Sequence, residues 1–242
     1  MLLKTFNLLA FVLVLVMNYL ANALPINGKT TGELSAEYPN LFVPAGITFS
    51  IWGIIYLLVA VFIVMQFLEA NKELVSAIGW AFVISCIFNA LWIFAWHYQK
   101  LPLSLLIMLG LLASLIYINY QLRIFPAGIV KATFGIYLGW IGIATIANVT
   151  ALLVNYNWAG WGISEEAWAI IMIAAGTIIS AIALLRLNNP FLALAVIWAF
   201  VGIIIKRQSD FTSIVIAAAL GALTMLIVMI FGFRYLFRPS GA

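Results

Sequence analysis

The side chains of this sequence that can do specific chemistry are tryptophans, tyrosines and asparagines set at helical spacing inside apolar runs. In "VPAGITFSIWGIIY", residues 43–56, Phe49, Trp52 and Tyr56 fall at i, i+3 and i+7 and so share one helix face. "FNALW" at 88–92 places Asn89 three residues before Trp92. "YLGWIGIATIAN" at 137–148 sets Tyr137, Trp140, Ala144, Ala147 and Asn148 on one stripe, aromatic at one end and small or polar at the other. The chemistry such faces support is non-covalent. Rings stack on a flat, mostly apolar ligand, and one or two amides fix its polar edge. An asparagine in hydrocarbon needs a partner. That partner is either a ligand or a neighbouring helix, and residue types alone leave both open.

Covalent and acid–base chemistry has few candidates. Ionisable groups placed inside membrane segments mark catalysis and ion paths, yet the deep interiors of the apolar runs carry no Asp, Glu, Lys or Arg. Glu69, Glu73, Glu165, Glu166 and Asp210 all lie at or near segment ends. His97, the single histidine, stands in "WHYQK" beside Trp96 and Tyr98. It reads as an interfacial residue, with a ligand contact at the mouth of the bundle as the alternative. One histidine cannot build a two-histidine metal site, and Cys86, the only cysteine, cannot form a disulfide within the chain. No HExxH or GxSxG motif appears. The expectation is a protein that is not an enzyme and needs no cofactor or metal. Proton-coupled transport is disfavoured for want of a carrier group.

These residues must be positioned by membrane helices. Of 242 residues, 67% are hydrophobic and 7% charged, against roughly a quarter charged in soluble domains. The apolar runs are continuous, which argues for spanning helices and against an alternating β-barrel. Eight spans are expected, at about 6–24, 44–68, 75–97, 102–122, 129–154, 165–186, 190–206 and 211–236. Pro25, Pro44, Pro102, Pro126 and Pro190 mark breaks between them. The fold class is therefore all-α, a polytopic bundle of about eight transmembrane helices. Gly135, Gly139 and Gly142 suggest close helix packing along the fifth span.

On this layout Lys4, Lys72, Arg123, Lys131, Arg186, Arg234 and Arg238 fall on one side, and Lys29, Lys100, Lys206 and Arg207 on the other. The positive-inside bias then places both termini in the cytoplasm, and nucleic acid is not an expected partner. At ~1.5 Å per residue, Trp52 and Asn89 both lie roughly 12 Å below the non-cytoplasmic mouth, and Asn148 roughly 9 Å. All sit beneath the loop 25–43. "ANA" at 21–23 also resembles a signal-peptidase site, but retention of the first segment as a helix is the expectation.

The three stretches, in this order, resemble the TspO/translocator-protein family, the tryptophan-rich sensory proteins that include the peripheral benzodiazepine receptor. The resemblance covers about residues 6–155, and the spacings Trp52–Tyr56 and Tyr137–Trp140–Asn148 match the family pattern. It implies a five-helix bundle that binds tetrapyrroles, sterols or synthetic aromatic ligands, with the first loop as lid. The implied ligand-binding residues are Trp52, Tyr56, Asn89, Trp92, Trp140, Ala144 and Asn148. Phe94 stands where the family often has proline, and no base follows Tyr156 in "VNYNWAGWG", so a sterol site there is doubtful.

The expected organisation is a TspO-like five-helix bundle over 1–155 with three further transmembrane helices, 156–242, packed on it. The expected function is that of a receptor or sensor in the plasma (inner) membrane, binding a planar, porphyrin-like ligand. A small-molecule transporter or facilitator and a packing subunit without a ligand are the alternatives. Membrane lipids are partners by necessity, and a homodimer is left open.

Overall fold

The computed structural model describes residues 1–24 and 26–236; Pro25 and Arg238, used above as a break and a charge, lie outside them. Among the described residues ten α-helices follow in order: α1 Leu2–Asn22, α2 Thr31–Ala36, α3 Ile51–Met65, α4 Lys72–Ile78, α5 Ala81–His97, α6 Leu101–Leu122, α7 Ile129–Asn155, α8 Glu165–Leu187, α9 Leu192–Arg207 and α10 Thr212–Leu236. No strand occurs among the described residues, in keeping with the all-α expectation.

Six helical stretches are long and apolar enough to cross a membrane singly: α1, the 3₁₀-led stretch Gly46–Met65, α6, α7, α8 and the stretch Thr212–Arg234 of α10. A seventh arises if α4 and α5 count as one broken span, bent by 60°. Length and apolarity among the described residues thus confirm six or seven of the expected eight; the remaining segment, α9, runs from the turn at Asn189 to the loop at Asn40 and Leu41, which Arg207 holds. The eighth segment, α9, has 16 residues, about 24 Å at ~1.5 Å per residue, short of a ~30 Å hydrocarbon core. The expected continuous third span is broken because Gly79 takes φ 55° and ψ −143°, a backbone state that glycine adopts without a Cβ penalty. The second span begins as a 3₁₀ turn, Gly46–Ser50, so Phe49 precedes α3 proper.

Among the candidate spans α7 is the most enclosed, with 56% of its apolar window buried against 33% or less elsewhere. It packs on α3, α6, α8 and α9. Of the three glycines expected to pack tightly, Gly135 and Gly139 do. A Cβ at Gly139 would overlap the Leu192 carbonyl of α9, and one at Gly135 would press on the Asn189 side chain. Gly142 has nothing within 4 Å of that position.

Buried amides tie the ends of the bundle together, as hydrocarbon requires. At one end Asn7 Nδ2 donates to Gln66 Oε1 at 3.0 Å, joining α1 to the end of α3. At the same end Asn189 Nδ2 donates to Asn119 Oδ1 at 2.7 Å and to the Lys131 carbonyl at 2.8 Å, joining the α8–α9 turn to α6 and α7. The fully buried Lys131 side chain reaches the carbonyls of Phe125 at 2.9 Å and Arg123 at 3.3 Å.

Candidate functional site

The expected faces of α3, α5 and α7 turn toward one another at the opposite end of the bundle. On α3 Trp52 stacks on Tyr56, with centroids 5.4 Å apart and planes at 18°. The same Trp52 meets Tyr137 and Trp140 of α7 edge-on, at 6.0 and 6.2 Å. Phe49 closes the other side of Trp140, edge-on at 5.9 Å. On α5 Trp92 stacks on Trp96 at 5.8 Å and 20°. Edge-to-face and offset stacks of this kind hold rings in fixed orientations beyond what area burial alone does.

A cavity opens between these walls. Its lining includes Trp52, Trp92, Trp140, Ala144 and Asn148, together with Trp96. Ala144 and Ala147 leave room on the α7 side by having no bulk. Asn148 is held from α6, where its amide and the Ser104 hydroxyl lie 3.2 Å apart. The free volume is about 50 Å³, room for a water or two and far below the ~300–1,000 Å³ of a drug-sized site.

Asn89 and Tyr56 do not line this cavity. They lie beneath it in a polar chain: Asn18 Nδ2 on α1 donates to Asn89 Oδ1 at 3.2 Å, and Asn89 Nδ2 donates to the Tyr137 hydroxyl at 2.8 Å. The Tyr56 hydroxyl is buried beside this chain but has no hydrogen-bond partner among the described residues. The chain satisfies these amides within the protein, so its role here is to hold α1, α5 and α7 in register under the cavity floor.

The roof is α2, whose Thr31 and Ser35 line the cavity. Its first turn is a capping box. Glu33 N–H donates to Thr30 Oγ1 at 3.3 Å, and Thr30 N–H donates to Glu33 Oε2 at 2.7 Å. These bonds from Thr30 hold the Glu33 carboxyl below the usual carboxylate range. The roof is latched to the end of α5. His97 Nε2 lies 3.1 Å from Thr31 Oγ1 and its Nδ1 lies 3.1 Å from the Ile26 carbonyl. With Nδ1 protonated the ring donates to Ile26 and accepts from Thr31. Asn27 Nδ2 donates to the His97 carbonyl at 3.1 Å, and Gln99 Nε2 donates to Glu37 at 2.7 Å. Lys29 forms an ion pair with the same Glu37.

His97, at the end of α5, is fully buried under α2. Trp96, Thr31 and Ser35 were missed as lining residues. The i, i+4 spacing of Trp92 and Trp96 on α5 could have found Trp96, whereas nothing local announces that α2 folds over it.

Among the described residues that line the cavity, two buried donors lack acceptors, the indole N–H groups of Trp92 and Trp140, at residues only 7% and 3% exposed; the Tyr56 hydroxyl beneath the cavity is unpartnered as well. Buried polar groups are nearly always paired, so such exceptions need a reason.

A family model described as TSPO-like protein matches residues 4–231. The chain belongs to the TSPO-like family. The match runs into α10, well past residue 155, so it does not set the last three helices of this TSPO-like protein apart as an extension. No curated protein and no solved structure matches the chain. Membership and apolar helices together make this an integral membrane protein of the sensor or transporter type.

Proposed function

We propose that this TSPO-like protein is a receptor that holds a planar, mostly apolar ligand of the porphyrin class between α3, α5 and α7, and performs no chemistry on it. The observation that carries the reading is the pair of buried indole donors, Trp92 and Trp140, left without acceptors in an aromatic-walled cavity. A ligand with acceptor atoms on its edge, such as a carboxylate or carbonyl, would satisfy them, while its ring stacks on Trp52 or Trp92. Because the closed cavity holds about 50 Å³, entry requires α2 and the segment around it to lift. The mouth faces away from the cytoplasm of the plasma membrane, with both termini inside, by the distribution of Lys and Arg.

Thermal melting of the purified full chain with increasing protoporphyrin IX tests the reading, because a ligand that binds only the folded state raises the melting temperature by mass action. Saturable stabilisation is expected. A melting temperature that does not move at any protoporphyrin concentration would refute the assignment.

A further inference from the structure

A second cavity, about 300 Å³, lies at the mouth end between the loop 39–42, the end of α7 and the start of α8. It is independent of the central one: the chain segment 39–44 separates them, with Pro39–Phe42 walling this cavity and Val43–Pro44 lining the other. Its volume reaches the lower end of the range for small-molecule sites. Phe42, Leu153 and Met172 supply an apolar floor, and Trp158, Trp168 and Glu165 stand around it.

The tryptophans are held there by an unusual turn. Asn157, Gly160, Trp161 and Gly162 all have positive φ, 50°, 66°, 51° and 78°. Trp168 Nε1 donates to the Gly160 carbonyl at 2.9 Å. Trp158 packs on Trp168 at 5.1 Å and on the 80% exposed Trp161 at 5.2 Å. Left-handed backbone at non-glycine residues is costly and persists only where surrounding contacts fix it.

The carboxylate beside these rings is that of Glu165, exposed in the first turn of α8. Glu165 has no ion-pair partner among the described residues. The neighbouring Glu166 is engaged by the Ser213 hydroxyl. Arg207 spends its guanidinium on the carbonyls of Asn40 and Leu41, at 2.7 and 3.2 Å, and is not part of the cavity lining. Lys29 is paired with Glu37. A carboxylate beside tryptophan faces, over an apolar floor, is complementary to an organic ammonium carrying an apolar arm.

We propose that this cavity binds such an organic ammonium, with the cationic head between Glu165 and the Trp158–Trp168 pair and the apolar arm over Phe42, Leu153 and Met172. The head group is either that of a free organic cation or that of a choline lipid in the outer leaflet. The proposal does not depend on a ligand in the central cavity.

Calorimetric titration of the full chain in a non-ionic maltoside detergent tests it, with benzyltrimethylammonium as probe and neopentylbenzene as its uncharged isostere. Saturable binding of the cation is expected, weakened about threefold to tenfold by Glu165→Gln and by raised salt. Glu165 is exposed at a helix end, so this variant should fold, and its melting temperature verifies that. Trp158→Leu should weaken the cation by a similar factor. Displacement of the probe by dihexanoylphosphatidylcholine below its micelle concentration would assign the site to a lipid head group, and failure to displace it would assign a free cation. Equal affinity for cation and isostere, or an unchanged cation affinity in folded Glu165→Gln, would overturn the proposal.

Discussion

His97→Ala is the perturbation that most cleanly separates the roof from the walls of the central cavity. The imidazole makes two bonds to the roof segment, to Thr31 Oγ1 and to the Ile26 carbonyl, each at 3.1 Å. A net contribution of ~0.5–1.5 kcal/mol per bond gives about 1–3 kcal/mol for the latch. The Asn27 amide still holds the main-chain carbonyl of residue 97, and the Gln99–Glu37 bond is untouched, so about 1–2 kcal/mol is the realistic loss. That shifts the balance between lifted and closed roof about 5- to 30-fold. Since the closed cavity is too small for a porphyrin, the fraction of time the roof is lifted sets entry. Stopped-flow quenching of tryptophan emission by protoporphyrin IX should therefore show association roughly 5- to 30-fold faster in the variant. The variant should melt lower than the wild type when no ligand is present. An unchanged or slower association rate in a folded variant would refute the latch.

The other expectations concern the bundle and its orientation. Gly202→Val should lower the melting temperature, because a Cβ there would overlap Thr48 Oγ1 and sit 2.9 Å from Pro44 Cβ. Overpacking of this kind costs ~1–3 kcal/mol, and the Ala45 N–H to Gly202 carbonyl bond at 3.0 Å is at risk as well. In a Cys86→Ser background, an impermeant maleimide on intact cells should label Lys29→Cys and spare Arg123→Cys. The reverse pattern would invert the proposed orientation.

The stripe on α7 was legible because Trp140, Ala144 and Asn148 repeat at helical spacing, and a helix in lipid must turn such a face inward. Counting along the segments set Trp52 and Asn89 at matching depth with Trp92 nearer the surface, and in the structure it is Trp52 and Trp92 that line one cavity. Asn89 was expected at the ligand, and in the structure its amide is bonded to Tyr137, because a residue type does not say whether an amide is satisfied by a ligand or by a neighbouring helix. The bend between α4 and α5 rests on a single glycine within an apolar run, and hydropathy cannot see it. The burial of His97 depends on α2 folding back over α5, a contact across 66 residues of chain. The service of α9 to the site was likewise illegible. Trp198 Nε1 donates to the Thr48 carbonyl at 2.9 Å across 150 residues, and Arg207 grips the carbonyls of Asn40 and Leu41. Through these bonds α9 braces the segment that walls the cavity, and no local pattern announces it. The closed volume depends on roof and rotamers together, which periodicity does not encode.

On the proposed function Trp140 faces a ligand as well as its neighbours. Protoporphyrin IX affinity and ligand-free melting temperature, measured on the same preparations of wild type and Trp140→Phe, test it most directly. Phenylalanine keeps a stacking ring but removes the indole N–H, which has no acceptor in the unliganded protein, so folding loses no hydrogen bond. Affinity should weaken by ~0.5–1.5 kcal/mol, about two- to twelvefold, with little change in melting temperature. A lowered melting temperature with unchanged porphyrin affinity would contradict it.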